Sequence, residues 1–423
     1  MARQRLIPGL AAALVTLGLA SATAEAASIE KLSGPGPVAD RRIYDAAVSA
    51  DGRYVTWAAG KDLFEDEALY FGAYMIYTRD RVFGYTTAVG PLQSFLPSPP
   101  SMSGDGRYLV YARDAGGGPD QEGQDCRLAF WDRQYEDEKP KDILALGPAG
   151  PLPYFGICAG MTPRLSADGL KIVFSSRRSD LVAGDTNNAP DVFVLTRSTG
   201  KVRLVSAAVS GGSGNGESLD PQISGNGRYV SFTSAAGNLV PGRSGVAGGQ
   251  SGVYRADLNA RLNAIRLVSA GYGGAQVDLN SSYSSISNDG SRVAFASVAT
   301  NLTSVKLPPD KSSVYIWDAA MPSGVKRILS LFGTNANYSD PTLSGSGRYL
   351  AYNVTPNVGQ VYGVRTDLTT NAYSIFTPKM KLNYYRPAIS ADGAAVTFES
   401  DAQNLVTPAD TDSLNDLFVY RYP

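Results

Sequence analysis

The chain has 423 residues, a formal net charge of −1 and only 18% charged residues, so no nucleic-acid-binding or polybasic membrane surface is expected. Histidine is absent, which removes Ser-His-Asp and Cys-His catalysis, imidazole metal sites and histidine pH switching together. Glycine and tyrosine are plentiful, at 45 and 24 residues, as many short strands joined by tight turns require.

Residues 1–26 read as a secretory signal peptide. Arg3 and Arg5 give a positive start, Leu10 to Leu19 an apolar stretch too short to span a bilayer, and Ala24-Glu25-Ala26 a cleavage site. No cysteine follows the apolar stretch, so a lipid anchor is not expected, and no other segment is apolar enough to span. Residues 27–423 are expected to form a single exported domain, periplasmic or secreted, without membrane insertion. That domain begins with an isolated strand-like segment, Ile29 to Ser33.

One phrase then recurs seven times: Ser49-Ala-Asp-Gly52, Ser103-Gly-Asp-Gly106, Ser166-Ala-Asp-Gly169, Ser224-Gly-Asn-Gly227, Ser287-Asn-Asp-Gly290, Ser344-Gly-Ser-Gly347 and Ser390-Ala-Asp-Gly393. Five residues after each glycine stands an aromatic: Trp57, Tyr111, Phe174, Phe232, Phe295, Tyr352 and Phe398. Glycine supplies a positive φ, the preceding Asp or Asn bonds its own backbone, and the serine hydroxyl closes the turn. The alternation that follows, as in Arg53 to Trp57, is that of a strand.

Each repeat divides into four strands. The first ends in the motif serine and is often introduced by proline (Pro100, Pro163, Pro221, Pro341, Pro387), and the second ends in the aromatic. The third carries an aliphatic–aromatic pair: Val192-Phe193, Val253-Tyr254, Val314-Tyr315, Val361-Tyr362 and Leu417-Phe418. The fourth is short and apolar: Val202 to Ser206, Ile265 to Ser269 and Arg327 to Ser330. Longer connections fall at 59–72, 113–125 and 235–251, and the run Ala115 to Gly118 has no following helix that would make it a phosphate loop. The two cysteines, Cys126 and Cys158, are a candidate disulfide between adjacent repeats.

The last repeat stops after its third strand, Asp416 to Tyr420, while Ile29 to Ser33 resembles a fourth. The expected fold is therefore an all-β, seven-bladed β-propeller of four-stranded antiparallel blades, its last blade closed by the N-terminal strand.

The phrase Ser-x-Asp-Gly-Arg-Tyr-x-x-aromatic with its Val/Leu-Phe/Tyr strand resembles the TolB-like, WD-repeat-like β-propeller family. The segments Leu181 to Phe193 and Asn404 to Phe418 are similar to that family's extended repeat. TolB itself carries an α/β domain ahead of its propeller. Here the first propeller strand is expected at about Ile29, so TolB's role in the Tol–Pal envelope system does not carry over.

Asp185-x-Asn187-x-x-x-Asp191 and Asp410-x-Asp412-x-x-x-Asp416 resemble the start of a calcium loop but lack the glycine and later glutamate of an EF-hand. The turn chemistry of Asp and Asn favours a simple cap entering the third strand, so no metal and no cofactor is expected.

Residues just ahead of the first strands should face one mouth of the central channel: Asp45, Asp220, Asp340, Tyr384, Tyr385 and Arg386. Of these, Asp45, Asp220, Asp340, Tyr385 and Arg386 form the expected partner-binding set, with no catalytic residue among them, since aromatics and arginine are favoured anchors. Propeller lyases rely on histidine and prolyl-peptidase-type enzymes on an appended hydrolase domain. Neither is present, and no G-x-S-x-G segment occurs. The expectation is a monomeric, non-enzymatic binding module presenting a rigid loop surface to an envelope protein or peptide. The alternative is a carbohydrate-binding or carbohydrate-active propeller. That would require converging carboxylates at one mouth, at least one with a perturbed pKa.

Overall fold

Each motif serine closes its own turn. At Ser49 the hydroxyl donates to Asp51 Oδ1 (2.6 Å) and accepts the Tyr54 N–H (2.9 Å), while Asp51 Oδ1 also accepts the Arg53 N–H (3.0 Å). The set recurs at Ser103, Ser166, Ser224, Ser287 and Ser390. At Ser344 the aspartate's place is taken by Ser346, hydroxyl to hydroxyl at 3.0 Å. The turn glycine does two things. Gly106 has φ +68°, and a Cβ there would come within 2.4 Å of the Tyr54 ring, so the same position turns the chain and admits the preceding blade's tyrosine.

These seven turns are joined to one another by backbone hydrogen bonds. Ala50 N–H donates to Gly104 O (2.8 Å), Gly104 to Ala167 (2.8 Å), Ala167 to Gly225 (3.0 Å) and Asn226 to Asn288 (2.9 Å). Asn288 then donates to Gly345 (2.8 Å), Ser346 to Ala391 (2.8 Å), and Ala391 back to Ala50 (2.9 Å). The circuit returns to its starting residue after seven links, and this closure sets the number of blades.

The computed structural model describes residues 27–33, 42–62, 71–95, 97–114, 125–135, 138–148, 158, 161–241, 249–260, 264–308, 310–321, 324–328, 333, 336–356, 360–377, 386–403, 405–406 and 416–423. Their strands form seven four-stranded antiparallel sheets. Blade 4 is typical, with Ser218–Ile223 innermost, then Tyr229–Ser234, Gly252–Asp257 and Ile265–Leu267. The innermost strands touch their neighbours all round the ring. Blade 7 consists of Ala388–Ile389, Ala395–Ser400 and Asp416–Arg421, and its fourth strand is Ser28–Lys31, with Ser28 opposite Arg421 and Lys31 opposite Phe418. The N-terminal strand thus completes the last blade and covers an edge that would otherwise be open. It is also tied to blade 1, where Arg81 Nη2 lies 2.7 Å from Glu30 Oε2.

The core lies between blades. In register, the motif aromatic faces the third-strand aromatic, as in Phe174–Phe193 (5.7 Å between centroids), Phe232–Tyr254 (5.8 Å), Phe295–Tyr315 (5.7 Å) and Phe398–Phe418 (5.5 Å). Such pairs contribute about 0.5–1.5 kcal/mol each beyond the area they bury. Blade 6 departs from the expected pattern. Val364, two residues after Tyr362, stands opposite Tyr352, and Tyr338 of the first strand supplies the ring contact at 6.0 Å. Cys126, in the third strand of blade 2, is disulfide-bonded to Cys158, in the connection to blade 3.

Candidate functional site

Counting back four residues from each motif serine brings the candidate positions into line: Asp45, Pro99, Thr162, Asp220, Tyr283, Asp340 and Arg386. They do not simply precede the first strands. In blades 1, 4, 5 and 6 they sit inside them, at β-bulges where the register slips around Asp45, Asp220-Pro221, Tyr283-Ser284 and Asp340-Pro341. Proline suits such a bulge because it has no N–H to leave unpaired. The bulge re-aims one side chain per blade toward the axis.

Four of these residues hold a positive φ without being glycine: Thr162 (φ 31°), Asp220 (φ 51°), Tyr283 (φ 54°) and Asp340 (φ 53°). Each such conformation costs about 1–2 kcal/mol, and it persists only where the surroundings enforce it. The position four before the serine is roughly 13 Å from the motif turn at the rise of a strand. The site therefore lies within the channel, away from the hydrogen-bonded ring of turns.

The groups feel one another's charge. Burial pushes the Asp220 carboxyl up, opposed by the guanidinium groups of Arg386 and Arg164. Asp220 still keeps part of its surface open, as a group lining an internal channel does, and no described side chain donates a hydrogen bond to it. Tyr283 is 50% exposed, yet its hydroxyl is pushed up, first by burial within the ring and then by Asp220 and Asp340. Asp340 Oδ2 accepts from the Ser339 hydroxyl (2.7 Å) and from Asn353 Nδ2 (3.2 Å). Arg386 reaches across from blade 7. Its Nη2 donates to the Ser284 carbonyl in blade 5 and the Pro341 carbonyl in blade 6, the latter at 3.2 Å.

Of the expected set, Asp220, Asp340 and Arg386 come together. Asp45 occupies the equivalent bulge in blade 1, while Tyr384 and Tyr385 lie outside the described residues. Tyr283 and Arg164 belong to the constellation and were not anticipated. Alignment on the motif serine would have found Tyr283, because its position is occupied by Asp in three sister blades. Asp191 opens the third strand of blade 3 with Asp185 beside it, whereas Asp410 and Asp412 lie outside the described residues. Among the described residues no three His, Cys, Asp or Glu side chains group as metal ligands. No helix of the described residues is long and apolar enough to cross a membrane.

No protein-family model and no curated protein sequence matches the chain. Solved structures do. An oligogalacturonate lyase in complex with manganese matches 95% of this chain and 94% of its own, with a TM-score of 0.56 and 13% identity. The β-propeller domain of the Trilobed protease from Pyrococcus furiosus matches 90% and 93%, with a TM-score of 0.55 and 11% identity. TolB from Acinetobacter baumannii covers 88% of this chain and 81% of its own, at a TM-score of 0.45 and 16% identity. The class is thus a seven-bladed β-propeller, without an α/β domain among the described residues. The Pyrococcus domain is described as having an open velcro topology, whereas here the ring is closed by Ser28–Lys31 on Asp416–Arg421.

One expectation is corrected by this comparison. The chain was expected not to be an enzyme because it lacks histidine and a hydrolase domain. An enzyme, the oligogalacturonate lyase, shares its fold over nearly the whole chain, so the architecture is one on which catalysis is built. The lack of histidine and of a hydrolase segment removes two particular machineries and not catalysis as such.

Proposed function

We propose that the protein is an exported propeller that takes a polyhydroxylated ligand, of the glycan class, in its channel, with Asp220 as the group that exchanges a proton with it. The observation that supports this reading most is the convergence of Asp220, Tyr283, Asp340 and Arg386 from four consecutive blades, three of them in enforced left-handed backbone. Strain of this kind concentrates at ligand sites. Converging carboxylates with one perturbed carboxyl are what the carbohydrate reading required.

The chemistry follows from the neighbours. Burial favours the neutral form of Asp220, so its carboxyl can donate to a ligand hydroxyl or glycosidic oxygen and take the proton back. Asp340, braced by Ser339 and Asn353, offers Oδ1 as an acceptor for ligand hydroxyls. Arg386 is held on two backbone carbonyls through Nη2, leaving its other guanidinium N–H groups for ligand oxygens. Tyr283 supplies a hydroxyl and an exposed ring face for stacking on a sugar. Export rests on the leader-like residues 1–26 and on the Cys126–Cys158 bond, since disulfides persist in oxidising compartments.

The test is a panel of neutral and acidic oligosaccharides, oligogalacturonides included, scored for binding and for cleavage by the purified protein. Wild type should retain one class, and Tyr283→Phe and Asp220→Asn should each weaken it at least tenfold with the fold intact. A protein captured from an envelope extract, with no oligosaccharide bound, would return the channel to the peptide-partner reading.

A further inference from the structure

Blades 3 and 7 share a device: an aspartate opening the third strand, fastened by a serine at the end of the fourth. In blade 7 the Ser33 hydroxyl donates to Asp416 Oδ1, and Ser33 Oγ accepts the Leu417 N–H at 3.1 Å. In blade 3 the Ser206 hydroxyl donates to Asp191 Oδ1, and its Oγ accepts the Val192 N–H at 3.0 Å. The two differ in how the buried charge is met. Lys31 Nζ lies 2.7 Å from Asp416 Oδ2. Lys31 pairs with Phe418, and the residue in the same register of blade 3, opposite Phe193, is Leu204. An apolar side chain therefore stands where blade 7 has its cation.

Blade 3 instead brings a second acid. Asp185 is 6% exposed, and neither of its carboxylate oxygens has a hydrogen-bond partner. The Ser213 hydroxyl and the Asn187 N–H stand near enough to oppose the effect of burial on this carboxyl without meeting hydrogen-bonding geometry, and Ser213 Oγ accepts the Thr186 N–H at 3.1 Å. Asn187, which the sequence places between the two acids, donates through Nδ2 to Asp191 Oδ2 (2.8 Å) and to the Gly214 carbonyl (2.7 Å). Its Oδ1 accepts the Ala189 N–H (2.9 Å) and keeps a second lone pair. Burial pushes both carboxyls up, Asp185 adds to the shift of Asp191, and no lysine or arginine offsets either.

We propose that Asp185 and Asp191 together bind a calcium ion, which does for blade 3 what Lys31 does for blade 7. Two carboxylates match a divalent charge. The donors are all oxygen, with no imidazole or thiolate, which selects a hard cation. Only two acidic side chains take part, so backbone carbonyls, Asn187 Oδ1 and water complete the shell, as the flexible coordination of calcium allows and that of magnesium does not.

The experiment is calorimetric titration of chelator-treated, full-length protein with calcium, paired with thermal melts in calcium, magnesium or chelator. Calcium should bind and raise Tm, magnesium at equal concentration should not, and Asp185→Asn should bind calcium at least tenfold more weakly. Asp185→Ser serves as the second variant should the amide fold poorly. No heat and no Tm change for wild type would overturn the proposal. So would calcium binding that persists unchanged in both variants, which would place the ion elsewhere.

Discussion

The ammonium of Lys31 lies 2.7 Å from the carboxylate of Asp416, joining the first described strand of the chain to the last. Asp416 is buried, and its other oxygen accepts the Ser33 hydroxyl from the same N-terminal segment. The segment that completes blade 7 therefore delivers both the donor and the charge that the last third strand needs.

Lys31→Met should accordingly destabilise by about 1–3 kcal/mol, less than the 3–5 kcal/mol for a wholly buried pair because the lysine is partly solvated. Ser33→Ala removes the hydroxyl that serves Asp416 and the Leu417 N–H together, and should cost about 1–3 kcal/mol. Denaturant midpoints check both. Unchanged midpoints would mean that the strand is held by its backbone ladder alone.

The architecture was legible because one turn chemistry is written out in every blade. Ser49 and its six counterparts each close a turn through the serine hydroxyl, partnered by a carboxylate in five blades, by Asn226 in blade 4 and by Ser346 in blade 6, and the seven turns join in one hydrogen-bonded ring. The site was less legible. Tyr283 stands at the bulge of blade 5, but its neighbours Ser282 and Ser284 carry none of the Asp-Pro pattern of blades 4 and 6. In blade 6 the sequence pattern points to Val361-Tyr362, two residues before Val364, which stands opposite Tyr352. A two-residue slip keeps every side chain on the same face, so alternation cannot detect it. Only Tyr338, packing on Tyr352 from the first strand, reveals why Val364 suffices opposite it.

The Cys126–Cys158 bond closes a loop with a sequence separation of 32 between blades 2 and 3. Loop-closure entropy for that length corresponds to about 3–4 kcal/mol. Reduction, or Cys158→Ser, should lower the unfolding free energy by that amount, and the midpoint with it, while leaving the β-sheet circular dichroism unchanged. A midpoint indifferent to reductant would show that the ring closure alone sets stability here.

Asp220→Asn should separate stability from function. The folded-state pKa of Asp220 is raised, so its contribution is favourable below the unfolded value and is lost as pH rises through the folded one. To the extent that Asp220 ionises, the wild-type protein carries the cost of a charged group among protein atoms, and the amide removes it. Asp220→Asn should therefore be more stable by roughly 0.5–2 kcal/mol at pH 7, with the difference shrinking toward pH 4, and should lose ligand. A destabilised variant would mean that Arg386 and Arg164 outweigh desolvation at this position.

Asp191 makes the sharpest pH prediction, because burial pushes its carboxyl from 3.8 to about 6. The folded state binds this proton more tightly than the unfolded chain, so the contribution is fully present below 3.8 and is lost as pH rises to about 6. With calcium chelated, about 3 kcal/mol of stability should disappear across that interval. Asp191→Asn should lack the fall, because its amide does not titrate. Calcium should oppose it, since the ion binds the ionised carboxylates and gains affinity over the same range in which the proton is released. Unfolding midpoints at pH 4, 5, 6 and 7, with and without calcium, distinguish the outcomes. A fall that calcium leaves untouched would tie the titration to burial alone, and a flat profile in chelator would show that Asp191 stays ionised on the hydrogen bonds of Ser206 and Asn187.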